Sequence, residues 1–489
     1  MGEIESFGLV VLIMAVVGLA AVWSSRLSAR FRIPAPAIFL LCAAAASDLW
    51  PRLGAISIST VEQVVTVALA VILFDGGMHI GWRRLRSVAG ATLWIGVVGT
   101  LATAAAVAVL AHGAFGLEWR TALLLGTALA PTDPAVVFSV LGGREIAGRS
   151  GVLLEGESGA NDPVGIALLV ALLTAGGHGG GVAVQVATGF ALQMVIGAVV
   201  GLAGAAGLLL LMRRIPLPTG PLYPLRVLAG ALAIYGAATV LHGSGFLAVF
   251  VAGIALGDER APYKREIERF HSSLASLAEI VAFVLLGLTI RLPDLPRDNA
   301  LYIGLGIAVL LAFVIRPVAV GLLLIPVRLS WPERLLVMWA GLKGAVPILL
   351  GAFILSAHGP QAGLLYQLIF VVVAFSVIVQ GGLLPVVAHR LGVPLRAVPP
   401  EPWSLGVRLR HEPEGVGRYR VAAGSPADGA RVGDLPLGED AWVSMVVREG
   451  RLLPPNADTV LRAGDEVLVL VDPAEESSLR PVFSRIFAT

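Results

Sequence analysis

Between residues 7 and 388 the chain is a succession of apolar runs, most of them about 20 residues long and joined by short polar segments. A helix of that length crosses the roughly 30 Å hydrocarbon core of a bilayer. Thirteen spans are predicted, over roughly 7–24, 34–50, 61–79, 88–111, 119–140, 151–175, 182–212, 222–241, 245–257, 271–290, 301–327, 332–356 and 363–388. A membrane β-barrel would show short alternating segments instead. A soluble fold could not carry 57% hydrophobic and only 14% charged residues. The expected fold is an all-α polytopic membrane bundle. The first run has no basic stretch before it and no convincing cleavage site after it, so it reads as a span rather than a leader.

The basic residues orient this bundle. With the N-terminus outside, the loops on the cytoplasmic side hold Arg26, Arg30, Arg32, Arg83, Arg84, Arg86, Arg144, Arg149, Arg213, Arg214, Arg226, Arg260, Lys264, Arg265, Arg269, Arg328, Arg334, Arg390 and Arg396. The opposite loops hold Arg52, Arg120, Arg291 and Arg297. An imbalance of nineteen to four puts the C-terminus in the cytoplasm by the positive-inside rule. An error in the number of central spans would destroy the alternation. Only Arg316 and Lys343 remain inside spans, and both need partners. Scattered basic residues and a net charge of +2 give no reason to expect a nucleic-acid partner. Cys42, the one cysteine, excludes an intrachain disulfide or a thiolate metal cluster.

Beyond Pro399, Pro400 and Pro402 the character changes: charge rises, and short β-branched runs such as 442–447 and 466–471 alternate with turn residues. A small α/β cytoplasmic domain is expected over 403–489, after a transmembrane domain over 1–395. The pattern of Gly424-Ser425-Pro426, Arg448-Glu449-Gly450 and Leu461-Arg462-Ala463-Gly464-Asp465 resembles the TrkA-C regulatory domains that gate potassium transport. That resemblance implies a small regulatory ligand. No Gly-x-Gly-x-x-Gly accompanies it, so the nucleotide-binding lobe that often precedes the module is not expected.

Ionisable groups within spans mark function, because each costs at least about 2.5 to 3.5 kcal/mol at the bilayer centre. The carboxylates in question are Asp75, Asp133, Glu155, Glu157, Asp162 and Glu279. Span five contains Ala130-Pro131-Thr132-Asp133-Pro134, and two prolines three residues apart must break its helix. The freed backbone groups near Thr132 need polar partners, which a cation and water can supply. Span six contains Glu155-Gly156-Glu157-Ser158-Gly159-Ala160-Asn161-Asp162-Pro163. Helical spacing puts Ser158 and Asp162 on one face, and Glu157 and Asn161 on its neighbour. Hard oxygens of this kind suit an alkali cation, and a carboxylate among them can hold a cation or a proton. Span twelve is interrupted in its turn at Gly341-Leu342-Lys343-Gly344-Ala345-Val346-Pro347. Breaks at corresponding places in two halves mark an inverted-repeat transporter with its site where the discontinuous helices cross. Arg316 requires a buried carboxylate, and Glu157, turned away from Asp162 on its helix, is the partner expected.

Thr132-Asp133-Pro134, Glu157-Ser158 with Asn161-Asp162, and Gly341-Leu342-x-Gly344-Ala345-Val346-Pro347 together resemble the cation:proton antiporter-1 group of NhaP type, over about residues 5–390. Leu73-Phe74-Asp75-Gly76-Gly77 fits as a helix-end motif, with Asp75 in a supporting place. The resemblance implies a homodimer in the cell membrane in which a core bundle exchanges one cation for one proton. Asp162 would be the carboxylate that alternates between them, and Asn161 would steady the site. Thr132, Asp133 and Ser158 would contribute ligands, while Glu157 and Arg316 would form a structural ion pair. Lys343, also supporting, stands where the family more often has arginine; it keeps the charge and loses the planar fork.

Competitive exchange of K+ or Na+ against H+ follows, with K+ favoured by the TrkA-C-like tail. No enzyme activity, no cofactor and no metal other than the transported alkali cation is expected. A membrane hydrolase fails because Gly156-Glu157-Ser158-Gly159-Ala160 lacks the last glycine of Gly-x-Ser-x-Gly. A gated cation channel is the remaining alternative, but the chain has no Thr-Val-Gly-Tyr-Gly carbonyl filter.

Overall fold

The computed structural model describes Leu19, then residues 34–397 except 51–52, 134–135, 138–140, 142–143, 147, 176–179, 260, 298, 359–360 and 394, and residues 415–483 except 438–440, 449–450, 454 and 472–475. All of the first expected span but Leu19, the arginines after it and the Pro399–Pro402 stretch lie outside these residues. So do Arg52, Arg260 and the Glu449-Gly450 turn. The chain divides into two compact units, 1–398 and 399–489.

The first unit is a helical bundle. Among the described residues its longer helices are α1 (Ala35–Leu49), α2 (Ile58–Leu85), α3 (Ala89–Phe115), α4 (Trp119–Leu129), α5 (Arg149–Thr174), α6 (Gly180–Arg214) and α7 (Leu222–Val240). They continue as α8 (Gly245–Gly257), α9 (Lys264–Leu288), α10 (Ala300–Leu323), α11 (Trp331–Trp339), α12 (Ala345–Ser356) and α13 (Ala362–Arg390). Seven of them, α2, α3, α6, α7, α9, α10 and α13, are long and apolar enough to cross a membrane. Of the rest, α5 has the length but carries Glu155, Glu157 and Asp162, while α4, α11 and α12 are the pieces of interrupted spans. Several arginines read as loop residues extend helical ends: Arg83 and Arg84 sit in the last turn of α2, and Arg213 and Arg214 in that of α6.

The expected helix end at Leu73–Gly77 is not there. Helix α2 runs on to Leu85, and its backbone leaves helical geometry only at Gly81, where φ is +61°. The glycines serve a different purpose. A side chain on Gly77 would strike the Phe250 carbonyl of α8, and one on Gly253 or Gly257 would strike the Phe74 or Met78 carbonyl of α2. The two helices therefore meet backbone to backbone, as small residues permit in membrane bundles.

Pro131 does to α4 what the sequence requires. The helix stops at Leu129, and the chain through Ala130-Pro131-Thr132-Asp133 is irregular and enclosed by protein. Between α11 and α12 the chain is irregular over 341–344, and α12 starts at Ala345 behind Gly344. Three helices widen into π turns, at Trp94–Gly99, Leu311–Ile315 and Ser376–Gly381. A short antiparallel ribbon pairs β1 (Arg144–Ile146), which leads into α5, with β2 (Leu395–Ala397), which follows α13.

The second unit holds an antiparallel sheet of β3 (Gly415–Arg420), β4 (Ala441–Arg448), β5 (Arg451–Leu453) and β6 (Glu466–Val471) in the order β3-β6-β4-β5, followed by α14 (Glu476–Phe483). Val421, Val443, Val446, Val467, Val469, Leu479 and Phe483 form its core. Asp465 is buried at the start of β6, where it accepts two hydrogen bonds from Arg448, at 2.9 and 2.7 Å, and one from the Arg462 amide at 2.8 Å.

Candidate functional site

The irregular stretch after α4 and the one before α12 touch directly. The Asp133 amide donates to the Leu342 carbonyl at 2.8 Å, and a side chain on Gly344 would collide with the Asp133 carboxylate. Glycine at 344 is thus what lets Asp133 reach the start of α12, where unpaired amides favour a negative group.

Lys343 crosses in the other direction. It is fully buried, and its ammonium donates to the carbonyls of Ala130 and Pro131 at 2.9 and 3.0 Å. Those carbonyls lie at the C-terminal end of α4, where the helix dipole favours a cation. A lysine suffices because its single nitrogen has three donors for the carbonyls of two adjacent residues, so the planar fork of arginine is not required.

Helix α5 locks onto the break in α4 through Thr132. Asn161 donates from Nδ2 to Thr132 Oγ1 at 2.7 Å and accepts from the Thr132 amide at 3.3 Å, while Ser158 Oγ donates to the Thr132 carbonyl. Asn161 therefore works with Ser158, three residues away, and not with Glu157, four residues away. Both spacings bring side chains together on a helix. Glu157 turns to Arg316, whose Nη2 lies 2.9 Å from Glu157 Oε1 with both side chains 3% exposed. Arg316 also donates to the carbonyls of Met338 and Val337, at 3.1 and 3.3 Å, and passes where any side chain on Gly341 would stand.

Asp162 is buried, and its Oδ1 has no hydrogen-bond partner among the described residues. Lys343 and Asp133 are the charges that act on it. Asp133 acts on half-buried Glu279 of α9, and Lys343 on Arg316 and Glu157. If all were ionised, four carboxylates would face two cations. A low-dielectric interior does not tolerate that excess. A bound proton or metal ion relieves it.

Asp75 bonds elsewhere. Its partners are Ser272 of α9 at 3.3 Å and His79 at 3.5 Å, neither of which belongs to the crossing. Sequence reasoning named Glu279 without a role and passed over Ser376 and Gln380. Both of those are buried beside Lys343, and an amide inside the apolar run of α13 was the available signal.

Residues 9–390 match the transmembrane sodium/hydrogen exchanger family, and residues 416–484 match the TrkA-C domain. The chain is 32% identical to the K(+)/H(+) antiporter NhaP of Alkalimonas amylolytica over 98% of its own length and 84% of that protein. It is 34% identical to the K(+)/H(+) antiporter NhaP2 of Shewanella sp. (strain MR-4) over 99% and 84%. The Na(+)/H(+) antiporter NhaH of Halobacillus dabanensis is 30% identical over 68% of this chain and 83% of that protein. In fold, it is similar to the sodium proton antiporter MjNhaP1 from Methanocaldococcus jannaschii, with a TM-score of 0.64 and 23% identity over 76% of this chain and 99% of that one. The family is one of transporters, not enzymes. Broken helices that cross, a buried carboxylate at their crossing and these likenesses agree: the chain is a multi-pass membrane protein of the sodium/hydrogen exchanger family, with a TrkA-C domain at its C-terminal end.

Proposed function

We propose that the chain is a secondary active antiporter that exchanges a monovalent cation, K+ in preference to Na+, for protons across the cell membrane. The observation that carries this reading is Asp162: a buried carboxylate whose Oδ1 has no hydrogen-bond partner among the described residues, four residues from Ser158 on α5 and within the electrostatic reach of Asp133 and Lys343. Asp162 takes a proton or a cation in turn. Asn161 holds Thr132 in place, and Thr132, Ser158 and Asp133 supply further oxygens. Glu157 and Arg316 hold each other on the far side of α5, so that Glu157 does not compete for the cation.

Coupling follows from electrostatics. Carrying an ionised, unneutralised Asp162 through the apolar barrier costs several kcal/mol, about 2.5 to 3.5 at the least. The empty carrier therefore stalls, and only the protonated or cation-loaded form crosses. Residues 1–395 form the exchanger, a homodimer set among lipids with its N-terminus outside. Residues 403–489 form a cytoplasmic regulatory domain that takes a small ligand. K+ is favoured because the relatives named for K+ align along nearly the whole chain, tail included, whereas the relative named for Na+ aligns over 68% of it.

The test is Asp162→Asn in everted vesicles. Loss of K+- or Na+-dependent dissipation of a pH gradient supports the assignment; exchange that survives removes it.

A further inference from the structure

The Lys343 ammonium is held by the end of α4, and the irregular stretch that carries it is also held from behind. At Ser376–Gly381, α13 makes a π turn, a feature that recurs at functional sites and that displaces backbone carbonyls from their helical partners. Two side chains of that turn reach the break between α11 and α12. Ser376 Oγ accepts from the Lys343 amide at 2.9 Å and donates to Gln380 Oε1 at 3.1 Å. Gln380 Nε2 donates to the Trp339 carbonyl at 2.6 Å, and the Gln380 carbonyl accepts from Trp339 Nε1 at 3.1 Å. Both ends of the stretch, Trp339 and Lys343, are thereby tied to one turn of one helix.

A cavity of about 10 Å3, room for one water at most, lies between α10, the broken stretch and α13, lined by Arg316, Gly341, Lys343, Ser376 and Gln380. The hydrogen bonds to Ser376 and Gln380 add to packing in fixing where the chain runs. Ser376 and Gln380 are 2% and 4% exposed, so water does not substitute for a lost bond without cost.

We infer that Ser376 and Gln380 are positioning residues for cation binding: they set the course of 339–343, and through Leu342 and Lys343 they set the break in α4 that carries Thr132 and Asp133. The path is continuous. Ser376 fixes the Lys343 backbone; the Lys343 ammonium fixes the Ala130 and Pro131 carbonyls; the Leu342 carbonyl fixes the Asp133 amide. Neither residue touches the cation. The inference rests on the assignment of Asp162 and its neighbours as the exchange site.

The experiment measures cation-dependent exchange in everted vesicles, with K+ and Na+ in turn, for full-length Gln380→Ala, Ser376→Ala, Ser376→Thr, Trp339→Phe and Asp162→Asn, each normalised to the amount of protein in the membrane. Gln380→Ala removes two bonds of the brace, so the apparent KM is expected to rise roughly tenfold with the maximal rate within about twofold of the parent. Ser376→Ala raises KM as well, and Ser376→Thr, which keeps the hydroxyl, restores it. Trp339→Phe removes one bond and keeps the ring against Phe313, so it holds the question open to measurement even where Gln380→Ala does not insert. A set of variants in which KM stays at the parent value, with only abundance or maximal rate reduced, overturns the inference. Exchange that survives Asp162→Asn overturns the site itself, whatever the brace variants do.

Discussion

The Lys343 ammonium donates to the carbonyl of Ala130 at 2.9 Å, joining two interrupted spans that lie 213 residues apart in the chain. Both partners are buried, and the neighbouring Pro131 carbonyl shares the same donor. Lys343→Met would leave two buried acceptors without partners, at about 1 to 3 kcal/mol each. It also removes one of the two positive charges at the crossing. Cation-dependent exchange by this variant is expected to fall at least a hundredfold, read as the initial rate in everted vesicles at matched protein levels.

Glu157 and Arg316 form an ion pair away from water, and such pairs punish the loss of one member more than the loss of both. Arg316→Ala or Glu157→Ala alone is expected to destabilise the protein by about 3 to 5 kcal/mol. Replacing both by apolar residues of similar size should recover most of that. Thermal unfolding of the detergent-solubilised full chain distinguishes the singles from the double.

Adjacent glycines of α2 should respond in opposite directions. A Cβ on Gly77 meets the backbone of α8, so Gly77→Ala forces the two helices apart and costs about 1 to 3 kcal/mol. Nothing lies within 4 Å of a Cβ on Gly76, so Gly76→Ala gains helix propensity, about 0.5 to 1 kcal/mol. The same unfolding measurement compares the two.

Asn161 makes two of the three hydrogen bonds that hold Thr132 against α5. Asn161→Ala is expected to raise the apparent KM for K+ and Na+ by about tenfold or more, because the Thr132 oxygens are no longer fixed. Asn161→Asp adds a negative charge to a site that already has an excess. Its loss of rate should exceed that of the alanine variant.

In the tail, the hydrogen bonds from Arg448 hold the Asp465 carboxyl below its ordinary value of 3.8. A carboxyl with a depressed value in the folded state stabilises that state above its unfolded value and loses the contribution as pH falls through the folded one. The second unit should therefore resist pepsin near pH 5 and become susceptible as the pH drops below about 3.8. Asp465→Asn should be cut readily at either pH; cleavage of the parent and the variant with the same pH dependence would refute this.

Much of this protein is visible in its sequence because the bilayer imposes strong local rules. A helix must be long and apolar to cross it, arginines accumulate on one side, and prolines break helices wherever they fall. The helical segments from residue 34 onward and the breaks at Pro131 and near Gly344 follow from such rules, and the strands at 441–448 and 466–471 from β-branched runs between turn residues. What the sequence could not contain is which groups of the broken ends bond to one another. That Asp133 bonds Leu342, that Lys343 reaches Ala130, and that Ser376 and Gln380 hold the stretch between Trp339 and Lys343 are facts about groups distant in the chain. The same holds for Gly76 and Gly77, identical in type and adjacent. Only the helix that packs against one of them makes it irreplaceable, and packing between helices is settled in three dimensions.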